Sequence, residues 1–152
     1  MAGNRVALVA TDLRTTIDAA LPKLRAISDA AAGEPREPGK WSRKEVIGHL
    51  IDSASNNHQR FIRAQQGGKL TFPPYEQKHW SASQHCNERA WADLLTLWYA
   101  YNAHLAHVIE HIPERHLAVP CVIESSSPVT LEFLATDYVA HLRHHLAQVG
   151  VL

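Results

Sequence analysis

The sequence predicts an all-α protein, a four-helix bundle. Three observations lead there. Four stretches repeat apolar residues at spacings of three and four. No stretch alternates with period two over a length that would build a sheet. The chain has 152 residues and 45% apolar content, enough for one core. No internal repeat or low-complexity segment divides it, so one domain is expected over residues 1–152.

The first helix is expected over roughly residues 8–31, where Leu8, Val9, Leu13, Ile17, Leu21, Leu24 and Ile27 share a face. Pro22 lacks the N–H that a helix interior uses, which predicts a kink or break near residues 18–22. The Gly/Pro-rich run GEPREPGK, residues 33–40, reads as a linker. The second helix starts after Trp41. Ser42 and Glu45 form an S-x-x-E capping box, Val46 opens the apolar pattern, and Trp41 with Val46 has the spacing of a hydrophobic staple. This helix runs to about Gln66 and stops at Gly67-Gly68.

Residues 67–86, with Pro73-Pro74, Tyr75 and Trp80, are expected as a long loop. The third helix spans roughly Asn87 to His111, with Trp91 and Trp98 in its inward stripe. Residues 112–129 are expected to be irregular. The fourth helix starts near Thr130, a suitable N-cap, and ends by Gly150. A second helix of about 25 residues would be roughly 37 Å long. A loop of about 20 residues at up to ~3.3 Å per residue can span that length. The second and third helices can therefore run parallel, joined by a crossover.

Composition narrows the function. Lys plus Arg is 15 and Asp plus Glu is 15, which argues against the broad basic face of a nucleic-acid binder. The apolar runs are too short to span a membrane. MAGNRVALVA is too weakly apolar for a signal peptide, so the cytoplasm is the expected location. The two cysteines, Cys86 and Cys121, exclude a cysteine zinc cluster and are expected as free thiols. No phosphate-binding glycine loop or nucleophile elbow is present.

The eleven histidines are the unusual feature. On the fourth helix, LEFLATDYVAHLRHHLAQV, His141 and His145 lie at i, i+4 beside the stripe Leu134, Tyr138, Leu142, Leu146, Val149. Residues so spaced have Cβ atoms about 5–6 Å apart. Two imidazoles there can converge on one ion at about 2.0–2.1 Å each. Asp137, one turn earlier, is positioned to accept the other ring N–H of His141. The plain alternative is a pair of core or surface histidines that only hydrogen-bond.

No HExxH occurs, so a third ligand has to come from another helix. The best candidate is His49 in GHLIDS, set near the inward face by Val46, Leu50 and Ser53. Asp52, three residues on, is a further orienting group or ligand. His104, His107 and His111 on the third helix also share a face, but at the edge of its apolar stripe, so a solvated or interfacial role is expected. His144 points away from the pair or at best flanks it; His58, His79, His85 and His116 look isolated, either structural or exposed. Tyr75 and Trp80 are candidate walls of a substrate pocket.

Two segments, W-S-R-K-E-V-I-G-H-L-I-D-S (41–53) and D-Y-V-A-H-L-R-H-H-L-A-Q (137–148), resemble the DinB-like superfamily, specifically its YfiT-like branch. The order of elements matches over nearly the whole chain. The resemblance implies an up-down-down-up four-helix bundle, often a homodimer. It also implies a divalent metal, zinc or nickel, held by His49, His141 and His145. Members of that branch are described as metal-dependent hydrolases. Others resemble S-transferases and isomerases that use low-molecular-weight bacterial thiols such as bacillithiol or mycothiol.

Three neutral histidines leave a position open for water or substrate, from which hydrolysis and thiol transfer both start. No clear general base stands beside the set; a hydrolase would want one, such as Asp52, whereas a metal-bound thiolate needs none once formed, which tilts the reading towards a thiol. The non-catalytic alternative is a structural metal site in a binding or oligomerisation module, which a closed fourth position would favour. The surplus of aromatics and histidines on the third helix points, with the resemblance, to a homodimer.

Overall fold

The computed structural model describes residues 5–152, so the first four residues of the expected domain lie outside the described residues. Helix α1 is Arg5–Arg25 and the short α2 is Asp29–Gly33. The break expected near residues 18–22 falls instead at 26–28. Leu21 and Leu24 are buried and hold the last turn of α1 to the core around Pro22, whose carbonyl still accepts from the Ala26 N–H at 3.1 Å. Ser28 then caps α2, its Oγ accepting from the Ala31 N–H.

Helix α3, Arg43–Ala64, opens on the capping box. The Glu45 N–H donates to Ser42 Oγ and the Ser42 N–H to Glu45 Oε1, both at 3.1 Å. The segment expected as a loop after α3 holds strand β1, Leu70–Phe72, and helix α4, Gln77–Gln84. A 3₁₀ turn at Cys86–Glu88 leads into α5, Trp91–Glu110. The stretch expected to be irregular carries β2, Pro120–Ile123, and β3, Val129–Thr130. Helix α6 is Leu131–Gln148, with Thr130 Oγ1 accepting from the Phe133 N–H at 3.1 Å.

A three-stranded sheet, order β1-β2-β3, therefore corrects the expectation of no sheet. Leu70 pairs with Cys121 in a parallel ladder and Cys121 with Val129 in an antiparallel one. Its strands of two to four residues are too short to print a period-two pattern.

The four long helices form a ring in which α1 and α3 each pack on α5 and α6. Side-chain contacts fix their directions. The Trp91 indole N–H at the start of α5 donates to the Leu24 carbonyl near the end of α1, so these two run antiparallel. Arg5 pairs with Glu132 at the starts of α1 and α6, and Lys23 reaches the Val151 carbonyl beyond their ends, so these run parallel. Ser42 and Lys44 meet Asn87 and Arg89 ahead of α5, so α3 and α5 run parallel, joined by the crossover. Arg43 bonds the Val149 carbonyl, so α3 and α6 are antiparallel. The order is up-down-down-up. Trp98, Phe61, Leu13, Ile17, Leu50 and Leu142 are among the fully buried core side chains. Among the described residues no helix is long and apolar enough to cross a membrane.

Candidate metal centre

Because α3 and α6 run antiparallel, the first turns of one face the last turns of the other. His49 meets His141 and His145 there. His49 Nε2 is 3.3 Å from His141 Nε2, and His145 Nε2 is 3.1 Å from His141 Nε2. The three candidate ligand atoms all lie within 4.8 Å of one another. Two nitrogens bound to one ion at ~2.0–2.1 Å with tetrahedral angles stand about 3.3 Å apart, so the observed separations are those of a ligand shell. In a cluster of neutral imidazoles each close pair of ring nitrogens can share at most one proton. A cation at the focus satisfies every lone pair.

His49 is 2% exposed, while His141 and His145 are half-buried. Burial, followed by the neighbouring rings His145 and His141, pushes His49 down to about 4. Burial and His145 push His141 down to about 4 as well, against the opposing charge of Asp137. His145 is also lowered by burial, with its bond to Gln148 acting the other way. The rings are held in the neutral form that binds a metal ion.

Local packing seats His49. Its neighbour Gly48 has no side chain because a Cβ there would lie 2.5 Å from Cys86 Sγ and 3.3 Å from Cys86 Cβ. The 3₁₀ turn after α4 is thereby allowed to lie directly on α3. On the other side the Trp41 ring packs against His49, centroid to centroid 5.1 Å.

The orienting partners differ from the sequence expectation. Asp137 is exposed, and among the described residues its carboxylate makes no hydrogen bond to the His141 ring; only its charge reaches it. Asp52 is buried; its Oδ1 accepts from the Gln84 Nε2 of α4 at 2.8 Å, and among the described residues it makes no hydrogen bond to any of the three rings. Burial raises the Asp52 carboxyl, opposed by that bond. His49 Nδ1 is buried without a hydrogen-bond partner. The ring that does have a partner is His145, whose Nδ1 lies 2.8 Å from Gln148 Oε1. Gln148 was legible as the i+3 neighbour of His145, a spacing that turns the two side chains together.

Two clefts reach the triad, one at His145 and the other at His141. One, about 560 Å³, is lined by Trp41, Lys40, Lys78, His145 and Gln148, with Arg36 at its edge. The other, about 270 Å³, is lined by His141, Asp137, Ser53, Asn57, Arg60 and Tyr75. Tyr75 lines the second cleft. Trp80 stands behind it, its ring 5.2 Å from the Tyr75 ring, and lines neither cleft.

Elsewhere His104, His107 and His111 are exposed on α5, as their place at the edge of its stripe suggested. His58, expected to be isolated, lies 3.0 Å from the Tyr101 hydroxyl and edge-on to His104. Cys86 and Cys121 are buried free thiols.

A sequence model of the DinB superfamily matches residues 12–149. A protein of Geobacillus thermodenitrificans is 23% identical over 141 residues, covering 90% of this chain and 78% of that protein. YfiT of Bacillus subtilis is 26% identical over 130 residues, covering 83% of this chain and 71% of YfiT. Both carry the provisional name of metal-dependent hydrolase. The solved structure of YfiT, titled as an unusual four-helix bundle, superposes with a TM-score of 0.85 at 20% identity, covering 97% of this chain and 85% of YfiT.

Proposed function

The chain belongs to the DinB superfamily, and from that premise we propose that it is a metal-dependent enzyme acting on a small molecule. His49, His141 and His145 would hold a divalent ion, zinc or nickel. The reading is an S-transferase or hydrolase in which a low-molecular-weight thiol or water attacks a small electrophile. The observation that carries it is the convergence of three buried or half-buried Nε2 atoms at ligand-shell spacing. When bound, such an ion supplies Lewis acidity that lowers the proton affinity of a thiol or water at its open position.

The protein's own groups have distinct roles. Gln148 orients His145 through Nδ1. Trp41 and the Cys86 turn hold His49 in place. The clefts beside His145 and His141 give a substrate room on either side of the triad, which favours catalysis over a closed structural site. Asp52 is tied to Gln84, Asp137 lies at the exposed rim and Glu37 stands exposed on the wall of the larger cleft, so among the described residues no carboxylate is hydrogen-bonded to a ring of the triad. That supports the thiol reading over hydrolysis, because a thiolate once formed needs no separate base. The names of the relatives favour the hydrolase arm.

Metal analysis of the purified protein, combined with a screen of electrophiles with and without added bacterial thiols, tests this. About one divalent ion per chain and turnover that depends on a thiol are expected. Equal turnover by metal-free and metal-loaded protein would leave the structural-site reading. We also propose a homodimer built on the α5 side, where Leu97 and the histidines His104 and His107 are exposed on the same helix. Sedimentation at a single 17.0 kDa species would remove that part.

A further inference from the structure

We propose that Arg60 anchors a carboxylate of the substrate at the far end of the cleft beside His141. This rests on the reading of the histidine triad as the reaction centre, and it names the class of molecule that centre takes.

His49, Ser53, Asn57 and Arg60 recur at spacings of four, four and three, one face of α3 turned towards α6. Eleven residues at ~1.5 Å each place Arg60 about 16 Å along the helix from His49. The triad closes one end of this stripe and Arg60 the other, and the 270 Å³ cleft that includes His141 is lined by Arg60 as well.

Arg60 is only 9% exposed, yet among the described residues it has no ion pair and no hydrogen bond. Its Nε is sealed without a partner, and its guanidinium lies over the Phe72 ring, 5.2 Å from the centroid. Lys44, buried in the same helix, shows how this chain treats a structural cation. Its Nζ is 3.1 Å from an Asp29 oxygen and 2.7 Å from the Arg89 carbonyl. The terminal nitrogens of Arg60 are not among the sealed atoms and face the cleft, so a largely desolvated charge with a ring face but no carboxylate or carbonyl against it, among the described residues, is incompletely compensated. An incoming anion would supply what the fold leaves out.

The anion is assigned as a carboxylate on three grounds. A guanidinium is a planar fork that fits a carboxylate through two parallel hydrogen bonds. Arg60 is the one cationic side chain lining the cleft, and the Asp137 carboxylate stands between it and the metal-binding end at His141 or beside that end, so at the Arg60 end a single positive charge meets the anion, which balances a monoanion and not a phosphate dianion. Pro74, Ile123 and Leu134 add apolar surface to a wall that also carries the uncharged polar Ser53, Asn57 and Gln77, with no second cation for a second negative charge. The substrate is therefore an elongated small acid, with its carboxylate on Arg60, an uncharged middle, and its reacting centre at the triad.

The test titrates the purified protein with sodium butyrate and, as an uncharged isostere, butyramide, followed by amide chemical shifts. Butyrate at millimolar concentration is expected to move the signals of Asn57, Arg60 and Tyr75, and butyramide is not. Arg60→Gln should weaken butyrate binding at least about 10-fold, the loss typical of a charge-assisted bond. Arg60→Lys keeps the buried cation and its stem, so it guards against misfolding, and should bind several-fold more weakly than wild type. His145→Ala, which removes a metal ligand, should leave butyrate binding intact. Shifts centred on His141 that vanish in His145→Ala and persist in Arg60→Gln would overturn the proposal while leaving the metal reading in place. Conversely, butyrate binding at Arg60 in a protein that takes up no metal would keep the subsite and remove the metal reading. Tighter binding of inorganic phosphate than of butyrate, equal binding by Arg60→Lys and wild type, or no shift with butyrate would also overturn it.

Discussion

His141 and His145 on α6 and His107 and His111 on α5 share the i, i+4 spacing, and each pair has a third candidate ligand atom within 4.8 Å. For the first pair that third atom comes from His49, 92 residues from His141 and on the facing helix. For the second it comes from Glu110 on the same helix. The α5 set is largely exposed and already engaged: Arg14 donates to Glu110 Oε2 at 2.7 Å, and His111 Nδ1 lies 2.8 Å from the His107 carbonyl. The α6 set is desolvated, its ring nitrogens pointed at one another. Identical spacing on two helices thus gives a chelating surface in one case and a prearranged, neutral ligand shell in the other. The third donor and the burial make the difference.

The largest effect that would break this comparison is loss of the metal itself. His141→Ala should abolish stoichiometric metal, while His107→Ala should leave it unchanged, as read by elemental analysis. Equal loss from both would mean that the ion sits elsewhere.

Acidity should separate the two sets next. An ordinary imidazole takes up a proton near ~6.5. His49 and His141, held down at about 4, stay neutral well below that. Metal release is therefore expected near pH 4, and a release midpoint at 6.5 would place the ion on exposed rings. The same lowering has a consequence for the metal-free protein. Between about pH 6.5 and 4 the unfolded chain binds protons that folded His49 and His141 do not. Stability should thus be intact above about 6.5 and fall as pH drops through this window, measurable by denaturant titration at a series of pH values.

The orienting shell offers a finer distinction. Gln148→Ala should reduce metal affinity about 10–100-fold, as loss of a ligand's outer hydrogen bond typically does, and Asp137→Asn should cost less. The reverse order would restore Asp137 as the orienting group. The smallest effect concerns the packing that buries His49. Gly48→Ala forces a Cβ towards Cys86 Sγ, an overpacking cost of about 1–3 kcal/mol, offset by about 1 kcal/mol of helix propensity. The melting temperature should fall by a few degrees, and by less in a Cys86→Ala background. An unchanged penalty there would show that Cys86 is not what excludes the side chain.

What the sequence by itself determined is whatever a residue's near neighbours decide. The capping box at Ser42 and Glu45, the Thr130 cap and the four apolar periods arise within one or two helical turns, and all are present. The His141–His145 pair was legible for the same reason, since 3.6 residues per turn put both rings on one face. The strands were not: β1 and β2 pair Leu70 with Cys121 across some fifty positions, and neither is long enough to show a period. Nor was α4, whose Gln84 takes the Asp52 carboxylate that had looked free to serve the histidines. Only the tertiary structure decided that His49 meets the pair, that Asp52 is drawn to Gln84, and that Arg60 is buried without a counter-charge among the described residues. Each depends on the register in which α3 packs against α6 and on what α4 covers. That register is set by side-chain packing summed over whole helices, and no local window of sequence contains it.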